Sequence, residues 1–467
     1  MLGLDLYECR IFQIRNTLIR PDVTVVGAGS AGCVAARRCA EMGLRTLLLD
    51  RKDESDIGKK VCGDEISKSH FDATGIDYPS GDEISSIISG ADVYPPNIEN
   101  VLNVRGWSDF DGWTVNRYMF GQRLLQEAKN AGVVFHPQSH VGGPIMRGDR
   151  VVGVYSKDAS SGEEINIYSK LVIDASGFPG VVRKKIDNPL VEQNIDKRDI
   201  ALCYREILSL NKPLEESEVA RVFLGGDYSP NGYSWIFPKG HTSVNAGVGV
   251  TGGQGQGSPK NLFLSFKEEY PLFSDSKILD GGGGAVPVRR PLKSLVSDGI
   301  AFLGDAALMV NPIHGGGIGA GMRAGIILGE VAKEAIARKN LTAYGLWHFN
   351  SRFLSNFGRR LASLEIFKRL LTDVTDEEMN YGFEKRLLEA EDLMGANRGE
   401  GFSLGITDKM RRVKRGIGNI TLLRKLQRAA SLMKKMDFAY SQYPNSPAQL
   451  DKWNESVHFI LEQAVFK

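Results

Sequence analysis

Gly27-Ala-Gly29-Ser-Ala-Gly32 lies between the apolar run DVTVV and the helix-forming run SAGCVAARRCAEMG, and Asp50 closes the next apolar run, LRTLLLD. Glycines at these spacings let a backbone approach a pyrophosphate, the helix start attracts its charge, and an acid at the end of the second strand accepts ribose hydroxyls. A second turn of this kind, Gly299-Ile-Ala-Phe-Leu-Gly304-Asp305-Ala-Ala, comes much later and leads into Asn311-Pro-Ile-His314-Gly315-Gly316-Gly317-Ile318-Gly319. Two nucleotide-type turns so far apart argue for FAD rather than NAD, one holding the ADP end and the other the ribitol and isoalloxazine. Asp305 would accept ribityl hydroxyls, and the helix opening at Gly316, Gly317 and Ile318 would stabilise negative charge at N1 and O2 of the reduced flavin. The alternatives are a tight turn without ligand at the first site and a glycine-packed helix crossing at the second.

A third group of residues has a different chemistry. In Tyr233-Ser-Trp235-Ile-Phe237-Pro238 the three aromatics fall on one face of a strand. A hairpin turning through Gly240 to Thr242 would set Gly247 opposite Trp235 and Gly249 opposite Tyr233, leaving unfilled space over the glycines. Such a slot fits a long, thin apolar substrate; an ordinary sheet core is the other reading. His314, in the second glycine turn, and His70, on a short helix, could each donate a proton or simply satisfy a backbone hydrogen bond. Arg289 and Arg290 could meet a phosphate headgroup or cap the sheet.

Residues 22 to 50 form a strand-helix-strand unit, with Gly43 stopping the helix. Asn116 caps a helix over RYMFGQRLLQEAKNAG, and VVFHP follows as a strand. VVGVYSK and EEINIYSKLVIDASG alternate like an antiparallel hairpin whose end returns to the first sheet. Residues 200 to 290 are strand-rich with a helix at 260 to 270. GIAFLGDAA is again a strand, a helix runs through 338, and from 340 the pattern is helical with breaks near Thr375, Gly395 to Gly401, Gly416 to Gly418 and Pro444.

With 467 residues the chain exceeds the size at which one core stops growing, so several domains are expected. Glycine, 53 residues, is in excess without the period of collagen, so it must serve particular turns; the run Gly281 to Gly284 has no assigned role. A net charge of +2 argues against a nucleic-acid partner. The positive charge is local: residues 401 to 440 hold ten Lys/Arg against two Asp. There, GNITLLRKLQRAASLMKKM places apolar residues at helical spacing beside Arg424, Lys425, Arg428, Lys434 and Lys435, as a membrane-surface helix would or as the solvated face of a packed helix. Five cysteines without a Cys-x-x-Cys pair suit a reducing compartment and offer no metal site. No secretory leader or membrane span is evident, so a cytoplasmic protein is expected, peripheral on the membrane if the basic segment docks there.

On these motifs the chain, from about residue 22 to its end, resembles the flavoprotein superfamily that includes p-hydroxybenzoate hydroxylase, tryptophan halogenases and geranylgeranyl reductases. Lys60-Val-Cys62-Gly63-Asp64 is similar to the Cys-Gly segment of archaeal geranylgeranyl reductases, which act on digeranylgeranylglycerophospholipids. Arg117-Tyr-Met-Phe120 resembles their Arg-x-x-Phe segment, Asp174-Ala-Ser-Gly177 the superfamily's second strand-turn, and Tyr233 to Pro238 with Gly247-Val-Gly249 their Tyr-x-Trp-x-Phe-Pro…Gly-x-Gly pattern. Asp50 stands where Glu is common.

The resemblance implies an α/β fold: a Rossmann-like FAD-binding domain of the p-hydroxybenzoate hydroxylase type (22–90, 106–180 and 285–338), an antiparallel-sheet substrate domain (91–105 and 181–284) and a helical C-terminal domain (339–467), after an N-terminal extension (1–21). It adds Ala31, Arg51, Cys62, Gly63, Asp64, Arg117, Val141, Asp174 and Gly177 to the cofactor set and places Cys62 near the reacting bond, as proton donor, steric gate or small packed thiol. It implies saturation of isolated double bonds by hydride from flavin N5 plus a proton, through a transition state with carbocation character that aromatic faces could stabilise. The substrate would be geranylgeranyl diphosphate or a geranylgeranylated glycerophospholipid, and the electron donor a ferredoxin, a deazaflavin or NAD(P)H. The rival activities are a flavin monooxygenase or halogenase, and a non-redox prenyl carrier on the same fold.

Overall fold

The computed structural model describes residues 12–14, 17–19, 21–106, 111–158, 162, 164–251, 257–392, 395 and 406–467, with side chains from residue 21 onward except at 406–410. Most of the expected extension 1–21, all of the break at 395–401 but its first residue, and the first part of the basic segment lie outside the described residues.

The strand Val23–Val26 is buried along its whole length, as a run of β-branched residues covered on both faces must be. It is central in a six-stranded sheet ordered Val134–His136, Thr46–Leu49, Val23–Val26, Leu171–Asp174, Ile300–Phe302 and Val296–Ser297, parallel except for the last pair. Sheet growth reverses beside Val23–Val26, and in open parallel sheets ligands bind outside the carboxyl ends of the strands at such a point. Gly27 follows directly, and its positive φ of 106° brings the chain so close to the Ala175 carbonyl that a Cβ would overlap it.

Two helices leave this edge together. In Ser30–Glu41 and Ile318–Ala337, a Cβ at Gly321 would lie 2.8 Å from the Ala31 Cβ, and one at Gly325 would lie 3.0 Å from the Ala35 nitrogen. The contacts advance in the same sense along both helices, which therefore run parallel and begin side by side.

The second large sheet has seven strands in the order Lys277–Pro287, Ile200–Ser209, Ser243–Thr251, Gly232–Pro238, Val219–Leu224, Gly90–Tyr94 and Leu102–Arg105, antiparallel except between Val219–Leu224 and Gly90–Tyr94. The helix Pro259–Glu269 covers one face, burying Phe263 and Phe266 against Leu208, Val244, Ala246 and Val248. The opposite face turns toward the parallel-sheet unit. A three-stranded sheet of Glu65–Ser67, Gly112–Val115 and Ile84–Ile88 is antiparallel throughout.

The expected hairpin of 151–157 and 163–174 is a three-stranded sheet in which Ser139–Arg147 also pairs. Gly142, Gly143 and Pro144 interrupt that strand's alternation, and a bulge lies between Val141 and Gly143, so its period is hidden in the sequence. After residue 340 the described elements are helical, and the strand-to-helix junction is tied by Arg290, which bonds both oxygens of the fully buried Glu365 at 3.1 and 3.2 Å.

Candidate active site

The parallel helices give the cleft its electrostatics. Neither Gly29 nor Gly317, their N-cap residues, supplies a side-chain cap, so the first N–H groups of both helices are left for another acceptor. A Cβ at Gly29 would meet nothing within 4 Å, whereas one at Gly32 would overlap the Gly27 carbonyl. The first glycine faces open space and the second allows the turn to close.

Arg117 adds a cation to the same spot. Its Nη2 donates to Ser30 Oγ at 2.8 Å, while Nε and Nη1 are buried with no hydrogen-bond partner among the described residues. A buried guanidinium with two unanswered N–H groups beside an uncapped helix start is costly unless an anion joins it, and a dinucleotide pyrophosphate fits that demand. Asp50 accepts from the Ala28 N–H at 2.7 Å and the Lys52 N–H at 2.9 Å, which leaves lone pairs for ribose hydroxyls. At the second turn Asp305 pairs with Lys60 at 3.1 Å, and a Cβ at Gly317 would lie 3.0 Å from Asp305 Oδ1. These residues fit FAD.

Asp174 is a correction. It is fully buried, one oxygen accepting from the N–H and Oγ of Ser176 and the other from the N–H groups of Val182 and Arg183. It shapes the turn that contains Gly177, which has a φ of 79°, and does not reach the cleft. Ala31 lies in the helix crossing, Arg51 is exposed, and Val141 is half-buried at the bulge.

The aromatic strand meets the Cys-Gly segment through a residue the sequence did not suggest. Asn245 accepts from Trp235 Nε1 at 3.1 Å and donates through Nδ2 to the Cys62 carbonyl at 2.7 Å and to Asp64 Oδ2 at 3.1 Å. Lys239 completes the knot, with Nζ 3.0 Å from Asp64 Oδ2 and 2.9 Å from the Val115 carbonyl. Asp64 has a left-handed φ of 67°, which turns the chain out of Cys62-Gly63 into the strand Glu65–Ser67. Asn245 lies across from Phe237 in the register, so a polar residue inside an apolar strand was the available signal.

Trp235 pairs with Gly247 and Tyr233 with Gly249, and successive ring centroids from Tyr233 to Trp235 to Phe237 are 5.7 and 6.1 Å apart. The expectation of vacant space over these glycines is corrected. The Trp235 indole lies across Gly247, where a Cβ would overlap it, and the Cys203 thiol stands where a Cβ at Gly249 would come within 3.2 Å. The glycines make room for the slot's floor instead of being that floor. Pro238 is buried and ends the strand, its carbonyl accepting from Thr114 Oγ1.

The Gly281 to Gly284 run extends the same surface. Cys203 pairs with both Gly249 and Gly284, and Arg205 with both Gly247 and Gly282, so four glycines share one face of the sheet. A Cβ at Gly284 would meet nothing within 4 Å, and one at Gly282 would press on Val61 at 2.8 Å. The run faces the loop carrying Cys62.

Both histidines are held neutral. Burial, aided by Arg323, Arg360 and His314, takes His70 down to about 3, and Arg323 Nε donates to its Nδ1 at 3.1 Å. Burial takes His314 down to about 4; its Nδ1 accepts from the Gly316 N–H at 3.2 Å and its carbonyl from the Tyr233 hydroxyl at 2.7 Å. Neither is a charged acid near neutral pH. Arg289 pairs with Glu192 at 3.0 Å and Arg290 with Glu365, so both serve the framework. Among the described residues no group of His, Cys, Asp and Glu is arranged for a metal.

Comparison with known proteins agrees with this geometry. Residues 199–286 match the geranylgeranyl reductase catalytic domain, and residues 22–76 match the glucose inhibited division protein A family. A digeranylgeranylglycerophospholipid reductase of Sulfolobus acidocaldarius is 36% identical over 95% of this chain and 98% of its own. One from Methanothrix thermoacetophila is 31% identical over 78% of this chain and 90% of its own. Among solved structures, a geranylgeranyl bacteriochlorophyll reductase-like protein from Thermoplasma acidophilum superposes with a TM-score of 0.74 at 23% identity, covering 88% of this chain and 99% of that one. A flavin-dependent brominase shares the fold with a TM-score of 0.63 at 17% identity, covering 87% of this chain and all of its own.

Proposed function

The chain belongs to the digeranylgeranylglycerophospholipid reductase family, and on that footing we propose how its residues divide the work. It is an FAD-dependent oxidoreductase that saturates double bonds of geranylgeranyl chains. The paired uncapped helices with the unanswered Arg117 guanidinium are the observation that carries the assignment of the cofactor cleft. When bound, FAD supplies the hydride.

Arg117, Ser30 and the N–H groups after Gly29 hold the pyrophosphate, Asp50 the ribose, and Asp305, steadied by Lys60, the ribityl chain. Tyr233, Trp235 and Phe237 form the wall along which the prenyl chain lies, and their faces stabilise positive charge developing at a substituted carbon. Asn245 fixes both this wall and Cys62, so the distance between them does not depend on the substrate. Cys62 sits beside the reacting bond. Offering the enzyme geranylgeranyl diphosphate and a geranylgeranylated glycerophospholipid under reducing, anaerobic conditions tests this reading, and the phospholipid is the substrate expected to be saturated.

A lipid substrate also has to be met at a surface. No described helix is long and apolar enough to cross a membrane. On the helix Ile420–Ser441, residues Ile420, Arg424, Arg428, Ser431, Lys435 and Phe438 follow helical spacing and share one exposed face. Arg424, Arg428 and Lys435 have no ion-pair partner among the described residues and line a groove of about 260 Å³ with Gln463. Ile420 and Phe438 at the two ends are 53% and 67% exposed, and Phe459 on the next helix is 65% exposed. Basic residues between exposed apolar ones fit an anionic lipid surface. Lys425 leaves the basic set, because it pairs with Glu378 at 2.7 Å.

A further inference from the structure

A glycerophospholipid substrate carries a phosphate as well as prenyl chains, and no residue placed at the slot so far answers that charge. Arg289 and Arg290 are spent on Glu192 and Glu365. Another buried cation lies on the slot's own face.

Four adjacent strands of the large sheet set Gly282, Arg205, Gly247 and Trp235 in one row, running inward from the edge strand Lys277–Pro287. Residues opposite one another in such a row point to the same face, so Arg205 stands beside the aromatic wall. The approach is close, since the Arg205 Cβ and the Trp235 Cη2 each lie 2.7 Å from where a Gly247 Cβ would be. On the outer side of the row Val61, next to Cys62, rests over Gly282. Arg205 therefore rises between the indole and the loop that carries Cys62.

Its charge is poorly answered there. The Arg205 side chain is only 6% exposed, and its one ion pair is with Asp280, a carboxylate that is 64% exposed, at 2.7 Å from Nη1. Nε is buried without a hydrogen-bond partner among the described residues. Asp280 follows Ile278 and Leu279, two exposed apolar side chains on the same edge strand. A buried guanidinium held by one solvated carboxylate, with an N–H left over, has room for a second anion, and its planar fork matches phosphate. Exposed apolar residues at the same edge suit the lipid that brings it.

We propose that Arg205 anchors the phosphate of the substrate lipid at the mouth of the slot, with Asp280 holding the guanidinium in the free protein and yielding it when the lipid binds. This inference rests on the reductase reading above. The headgroup stays at the sheet edge, and the prenyl chain runs inward along the row that ends at Trp235. Fixing one end of the chain sets which double bonds come level with the aromatic wall.

The experiment offers a digeranylgeranylglycerophospholipid and the same lipid without its phosphate, both detergent-dispersed, to wild type, Arg205→Met and Asp280→Asn. Binding is read from tryptophan fluorescence, and saturation from anaerobic turnover of the reduced enzyme. Arg205→Met keeps much of the side chain's bulk without its charge. It should weaken phospholipid binding about tenfold or more, raise KM far more than it lowers kcat, and erase the wild-type preference for the phosphate-bearing lipid. Asp280→Asn, at an exposed position, should instead tighten phospholipid binding by removing the competing carboxylate. Equal losses on both lipids in Arg205→Met would overturn the proposal, as would a wild type indifferent to the phosphate or an Asp280→Asn variant that binds the phospholipid no more tightly. If phospholipid binding depends on Arg205 but every double bond survives reducing conditions, the reductase reading fails and the anchor stands.

Discussion

Asn245 donates its side-chain amide to the Cys62 carbonyl at 2.7 Å while accepting the Trp235 indole N–H at 3.1 Å. One buried side chain thus sets the spacing between the aromatic wall and the loop that meets the cofactor. Asn245→Leu leaves two buried polar groups unanswered, a loss of about 1–3 kcal/mol for each. Thermal stability should drop, kcat/KM should fall by roughly ten- to hundredfold, and the Trp235 fluorescence should change. Unaltered kinetics in a destabilised but folded variant would reduce Asn245 to a packing role.

Arg117 gives a prediction in which stability and binding move apart. In the FAD-free protein its Nε and Nη1 are buried without a hydrogen-bond partner among the described residues, so Arg117→Leu should cost the apoprotein little or even stabilise it. FAD affinity should fall at least tenfold, because charge-assisted bonds to a pyrophosphate are lost. Titrating apoprotein with FAD and following the Tm of both forms checks this.

Much of the architecture was legible in the sequence, because the glycine turns, the β-branched runs and the Asn116 cap are local devices. Asn116 accepts from the Met119 N–H at 3.3 Å and begins the helix Arg117–Asn130, as its position implied. The pairing of Gly247 with Trp235 and Gly249 with Tyr233 also followed from strand alternation. What escaped was decided across long sequence separations. The contact of Ala31 with Gly321 makes the two helix starts adjacent, the Trp235 indole fills the space over Gly247, and the commitment of Asp174 to Ser176, Val182 and Arg183 removes it from the cleft.

The basic helix face is tested with vesicles. Arg424→Ala, Arg428→Ala and Lys435→Ala together should lower partitioning onto anionic vesicles about a hundredfold, at roughly 1 kcal/mol per residue near the surface. Wild-type binding should weaken with salt, and neutral vesicles should bind poorly. Activity on a detergent-dispersed substrate should survive the triple substitution. Equal binding by wild type and variant would place the membrane contact elsewhere.

A buried ion pair supplies the pH prediction. Although burial pushes Glu365 up, Arg290 and Arg369 more than offset it and hold the carboxyl below the usual glutamate range. A folded-state value below the unfolded one means stability that is fully present above the unfolded glutamate value and lost as pH falls toward the folded one. Glu365→Gln should therefore cost about 3–5 kcal/mol near neutral pH by stranding Arg290, and should flatten the acid limb of the Tm profile. A variant with an unchanged acid limb would show that other carboxylates govern acid unfolding.

The most direct measurement is the mass of the lipid after turnover. Purified protein carrying FAD, reduced anaerobically with dithionite and given a digeranylgeranylglycerophospholipid, should yield products heavier by one pair of hydrogens for each double bond saturated. In deuterated water, at least one of each pair should be deuterium, because the proton added to the alkene exchanges with solvent. Recovery of the lipid unchanged from fully reduced, FAD-loaded protein would contradict the account.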